Sequence, residues 1–125
     1  YGTSLIFITH DIALLSGFAD RLLVLYGGEV CEEGPEAVVL GAPRHPYTRA
    51  LLRAVEKTGV ERGGRRAAIG GEPPDPLRPV PGCPFAPRCP LAQDRCWPEK
   101  PPMTALGPDH RAACHRLDLT AEAPA

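Results

Sequence analysis

The chain has 125 residues, a formal net charge of −1 and 43% hydrophobic residues. That length suits one small domain or a piece of a larger one, and the charge balance gives no basic surplus to argue for nucleic acid. No apolar stretch approaches bilayer length; Pro (16) and Gly (13) are high, with most of the excess after Gly59.

The opening residues, "YGTSLIFITHD", have neither a basic n-region nor a small-residue cleavage site, and no initiator Met. They read as the middle of a chain, so a C-terminal fragment is expected. Ser4 to Thr9 is a continuous apolar run, which suits a strand buried on both faces of a parallel sheet. A helix is expected next, with Ile12, Leu14, Leu15, Phe18 and Ala19 on one face and Asp11 at its N-terminus. In "RLLVLYGGEVCEEG" two strand-like segments flank Gly27-Gly28, a two-residue hairpin signal because both positions accept positive φ. Pro35 opens a short helix that Gly41 ends, and Pro46 suits the first position of another helix whose face carries Tyr47, Ala50, Leu51, Ala54 and Val55. Residues 59–71 read as a linker, and "EPPDPLRPVP" excludes an inner strand or a helix interior. A Cys-rich stretch follows, and the small, polar end "LDLTAEAPA" is expected to fray.

His10 stands where the first strand should end. In open α/β sheets ligands bind at that edge, and a histidine there can meet a phosphate oxygen and a water at once. Position alone favours an ordinary surface or capping histidine. However, "SLIFITHDIALLSGFADRLLVLYGGEVCEEG" resembles the last part of an ABC-transporter ATP-binding domain. The resemblance implies that His10 is the switch histidine at the ATP γ-phosphate, helping to position the attacking water and the catalytic Glu. It implies that Asp11 belongs to the dimer-interface loop. These residues contain no G-x-x-x-x-G-K-[ST] loop, no "LSGGQ" signature and no Walker B pair. They are therefore expected neither to bind ATP stably nor to hydrolyse it alone.

"APRHPYTRALLRAV" is similar to the C-terminal extension of the oligopeptide, dipeptide and nickel importer ATPases. Bottom-up, Pro46 starts a helix, Tyr47 packs and His45 caps, so the motif marks a family more than a chemistry.

Cys83, Cys89, Cys96 and Cys114 are separated by five, six and seventeen residues. That spacing matches no C-x2-C zinc ribbon or ferredoxin run. It leaves open, in this order, a metal or cluster site, free structural thiols, and disulfides, which a reducing compartment disfavours. A Pro-rich segment with so few large apolar residues can hardly fold unaided, and thiolate–metal bonds would supply what its core lacks. "GCPFAPRCPLAQDRC…DHRAAC" is similar to the ending of the same importer subunits. That resemblance implies a [4Fe–4S] cluster on Cys83, Cys89, Cys96 and Cys114, structural or regulatory in role, with zinc as the competing metal. Cys31 reads as a small buried hydrophobe. His110 and His115 are expected in solvated or supporting roles, Phe85 and Trp97 as a miniature core, and Arg88 and Arg95 as solvated or as donors to the cluster.

The expected fold class is α/β: the C-terminal piece of a P-loop ABC ATPase domain (strand, helix, hairpin, helices), then an irregular, metal-stabilised Cys-rich tail. The expected divisions are 1–41 (end of the ATPase domain), 42–57 (HPY helix), 58–81 (linker), 82–116 (Cys-rich module) and 117–125 (flexible tail). For the whole protein the resemblance implies ATP with Mg2+ and ATP-driven import of peptides, nickel or small solutes. It also implies a second ATP-binding subunit, membrane permeases, an extracytoplasmic solute-binding protein, and a place on the cytoplasmic face of the membrane. The other function class considered is a stand-alone four-cysteine metal-binding interaction module. A thiol redox enzyme would want a C-x-x-C pair, which is absent.

Overall fold

The computed structural model describes residues 2–56 and 69–122; residues 58–68 of the expected linker lie outside them. Four antiparallel strands form one sheet: β1 (Arg21–Tyr26), β2 (Glu29–Pro35), β3 (Met103–Gly107) and β4 (His110–Ala113), in the spatial order β1-β2-β4-β3. Three short helices accompany them: α1 (Glu36–Gly41), α2 (Pro46–Glu56) and α3 (Leu117–Glu122).

The β1–β2 hairpin turns at Gly27 and Gly28, with φ of 58° and 81°. Both positions need the left-handed region, which glycine enters without a Cβ penalty. β1 alternates strictly, burying Leu22, Val24 and Tyr26 and exposing Leu23 and Leu25. β2 does not alternate. Val24 faces Glu32 while Leu25 faces Val30, so Cys31 is the extra residue of a β-bulge. The bulge turns two consecutive side chains, Cys31 and Glu32, inward. Pro35 caps α1 and Pro46 begins α2, as their fixed φ favours.

The core joins the hairpin to the Cys-rich stretch. Phe85 is 1% exposed, and its ring centroid lies 5.1 Å from Tyr26, 5.4 Å from Tyr47 and 6.0 Å from His45. Leu22, Val24, Cys31, Val39, Ala86, Cys83 and Cys96 complete it.

Several expectations are corrected. The Ser4–Thr9 run forms no strand, and Leu5, Ile6, Phe7 and Ile8 are 53–91% exposed. A parallel strand needs neighbours on both sides, and the described residues offer it none. The helix expected after Asp11 is a single 3-10 turn, Ile12–Leu15, burying only Ile12. The Cys-rich tail is not wholly irregular, since β3 and β4 extend the sheet across β2. Residues 117–122 form α3 instead of a frayed end: Arg44 and Arg49 donate to the Leu117 and Thr120 carbonyls at 2.7 and 3.2 Å, and Thr120 is buried. Trp97 is 48% exposed, so Phe85 anchors the core with Tyr26 and Tyr47 instead. Among the described residues no helix is long and apolar enough to cross a membrane.

Candidate functional site

The Cys-rich loop holds itself together over residues 82–97. Gly82 N–H donates to the Trp97 carbonyl and Cys83 N–H to the Cys96 carbonyl, both at 2.8 Å, which sets Cys83 beside Cys96. A 3-10 turn over Ala86–Arg88 delivers Cys89, whose N–H donates to the Ala86 carbonyl at 3.2 Å. A second turn, Asp94–Cys96, ends on the third thiol. The fourth, Cys114, comes from elsewhere, directly after β4.

All four thiols line one small cavity of about 10 Å3, together with Phe85, Leu91, His45 and His115. Burial pushes the Cys83 and Cys89 thiols up, and Cys114 up to about 11; the neighbouring cysteines push each of them further in the same direction. Backbone N–H groups oppose this. Cys83 receives them from Phe85 and Ala86, Cys89 from Leu91, and Cys114 from Arg116 at 3.3 Å. A repeated N–H aimed at sulfur from two residues on favours the thiolate that a metal would need.

Four soft donors of one kind around one cavity fit a thiolate-bound metal. The spacing is not that of a finished centre. Among the described residues no group of three or more His, Cys, Asp or Glu side chains is placed so that it could hold a metal ion as it stands. A single ion would need the sulfurs brought to about 2.3 Å from it.

The surrounding residues meet their expected roles only in part. Arg88 donates to the Ile69 and Gly70 carbonyls at 2.7 and 2.8 Å and to the Tyr26 hydroxyl at 3.2 Å, which pins the end of the linker. Arg95 pairs with Glu99 in solvent. Neither guanidinium is turned to the thiols. His115 Nε2 meets the Glu99 carbonyl at 2.9 Å. Cys31 fits its expected role: it is buried, its Sγ donates to the Val24 carbonyl, and burial pushes its thiol up to about 12.

Sequence reasoning missed Glu32. Its carboxylate is fully buried and accepts three hydrogen bonds: Arg44 N–H at 2.8 Å, His45 N–H at 2.9 Å and His110 Nε2 at 2.8 Å. His110 is therefore neither solvated nor aimed at the thiols. His45 is 2% exposed, Tyr47 N–H donates to its Nδ1 at 3.1 Å, and it lines the adjoining cavity with Ala113. Since Nδ1 accepts, Nε2 carries the proton. Burial lowers this histidine to about 4. The Glu-Glu doublet hinted at an inward carboxylate, because an alternating strand turns one of the two inward.

His10 is exposed and lines neither this cavity nor the adjoining one between Cys31 and Cys83. Asp11 accepts from Ala13 N–H at 3.0 Å and caps the 3-10 turn, while its own N–H donates to Thr9 Oγ1. The structure thus groups the four cysteines and leaves His10 and Asp11 apart from them.

A family model described as "Oligopeptide/dipeptide transporter, C-terminal region" matches residues 31–96. The chain is similar to the oligopeptide transport ATP-binding protein OppD of Mycobacterium tuberculosis, 42% identical over 118 residues, covering 94% of this chain and 19% of that protein. It is also similar to the dipeptide transport ATP-binding protein DppD of Escherichia coli, 40% identical over 112 residues, covering 90% of this chain and 34% of that protein. The chain thus spans between about a fifth and a third of these relatives.

Proposed function

Because the chain belongs to the oligopeptide/dipeptide transporter C-terminal-region family, we propose that it serves in an ATP-binding subunit powering ATP-driven import of peptides or similar small solutes. The observation that carries this is the match over residues 31–96, which takes in most of β2, the HPY helix and three of the four grouped cysteines. The partners are a second ATP-binding subunit, membrane permeases and, through them, an extracytoplasmic binding protein. The site of action is the cytoplasmic face of the membrane.

His10 acts in the whole protein as the switch histidine on the γ-phosphate of Mg-bound ATP, and Asp11 shapes the dimer-interface loop. The exposed run Leu5 to Ile8 supports this, since it has the composition of a buried parallel strand and would find its neighbours in the rest of an ATP-binding domain. The same exposure weighs against a stand-alone module. In the whole subunit, His10→Ala should lower ATP hydrolysis by about ten- to a hundredfold, the value of one hydrogen bond to a charged group. Hydrolysis at the full rate would remove His10 from the role.

Cys83, Cys89, Cys96 and Cys114 hold a metal that fastens the C-terminal module to the sheet. The donor set suits a [4Fe–4S] cluster and, in competition, zinc. The bound group would supply cross-links among the loop, β4 and the start of α3; the chain's own contribution is the four sulfurs and the N–H groups aimed at three of them. Iron, sulfide and zinc analysis of anaerobically purified protein tests this. Brown protein with iron and sulfide supports the cluster, one zinc per colourless chain replaces it, and neither metal overturns the site.

A further inference from the structure

The cysteines are arranged as three plus one. Cys83, Cys89 and Cys96 belong to a loop that closes on its own backbone hydrogen bonds. Cys114 is brought to the cavity by β4, which lies against β2 in a pairing two residues long: Glu32 with Ala112 and Glu33 with Arg111. So short a ladder fixes a strand weakly unless side chains reinforce it.

The reinforcement is buried. One Glu32 oxygen accepts from His110 at the start of β4 and from Arg44 N–H, and the other accepts from His45 N–H. His45 also lines the adjoining cavity together with Ala113, the residue before Cys114. Both ends of β4 thus adjoin groups held by a single carboxylate on β2, which also sets the entry to α2. His45 lines the thiol cavity itself.

The geometry points to Glu32, His45 and His110 as positioning residues that set Cys114 against the other three thiols, so that they decide whether the site offers four sulfurs or three. This rests on the four-thiol metal site proposed above. Loss of such supporting contacts costs about 10- to 100-fold in metal affinity.

The test is a titration of the anaerobically reduced chain with Co2+, whose thiolate charge-transfer absorption per bound ion reports the number of sulfur ligands. Cys114→Ala provides the three-sulfur reference. The unsubstituted chain should give a stronger band than that reference. Glu32→Gln should fall to the reference level, because the Gln amide cannot accept from both Arg44 and His45 N–H groups. It should also bind Co2+ about 10- to 100-fold more weakly. His110→Leu should do the same, while His110→Gln, which can still donate to Glu32, should recover the four-sulfur band. If Glu32→Gln does not fold, the two His110 variants carry the comparison. Four-sulfur bands of unchanged affinity in Glu32→Gln and His110→Leu would overturn the inference and leave the metal site standing. No thiolate band in the unsubstituted chain would overturn the metal site, and the inference with it.

Discussion

A methyl group on Gly82 would sit 2.3 Å from the Cys96 carbonyl oxygen and 2.6 Å from that of Trp97. Both oxygens are backbone atoms inside the clasp that seats Cys83, so neither can swing aside as a side chain would. Gly82→Ala should therefore destabilise the chain by about 1–3 kcal/mol, read by urea unfolding, and should weaken metal uptake with it. His45 sets a pH limit of a different kind. Its folded value, about 4, lies below the ordinary 6.5 because burial disfavours the charged ring. Between those values the unfolded chain binds the extra proton and the folded chain does not. Stability is therefore complete above pH 6.5 and falls as the pH drops towards 4, by about 3 kcal/mol at most. Unfolding free energy measured across that window should slope in the unsubstituted chain and flatten in His45→Gln. The histidine was visible in the "RHPYT" motif, but its burial was not. A capping role needs only local sequence, whereas burial depends on Phe85, forty residues away, arriving over its ring.

Elements differ in what anchors them. The Cys-rich loop adheres to the hairpin through Phe85, packed among Tyr26, Tyr47 and His45. Phe85→Ala should cost about 3–5 kcal/mol and should loosen the loop from the sheet, seen as faster amide exchange over residues 82–97. β4 makes two side-chain pairings with β2, the buried His110–Glu32 hydrogen bond and the Arg111–Glu33 ion pair. Arg111 is half exposed where it reaches the mostly covered Glu33, so Arg111→Ala should cost about 1 kcal/mol in a urea unfolding assay. The β1–β2 hairpin was legible because Gly27-Gly28 and the alternating β1 are local signals. The bulge at Cys31 was not, because an extra residue shows only once the partner strand is in register. The β3–β4 hairpin was missed too. Its segments are short and proline-flanked, and a tertiary partner, β2, completes the ladder. The four-cysteine set followed from the family resemblance, since the spacing alone left metal, free thiols and disulfides open, but Glu32, which refers the fourth cysteine to the sheet, lies about fifty residues before Cys83 with no motif of its own.

At the scale of the whole molecule, apolar surface is unevenly covered. Leu5, Ile6 and Ile8 stand in solvent while the sheet's inner face is closed. An exposed run of this kind invites association. The double change Ile6→Lys, Ile8→Lys should keep the 125-residue chain monomeric at concentrations where the original aggregates, judged by light scattering. Its thermal unfolding should be unaltered, because neither side chain contributes to the core. The sheet order has a consequence for the order of events in synthesis. β2 is translated about eighty residues before the strand that flanks it opposite β1. Until His110 to Ala113 leave the ribosome, one margin of β2 offers bare amide and carbonyl groups, beside a carboxylate waiting for its last donor. Any transcript cut short between Gly107 and His110 would release a protein with that margin permanently open. Quality control would meet it as an unpaired strand, long before a missing cysteine could be noticed.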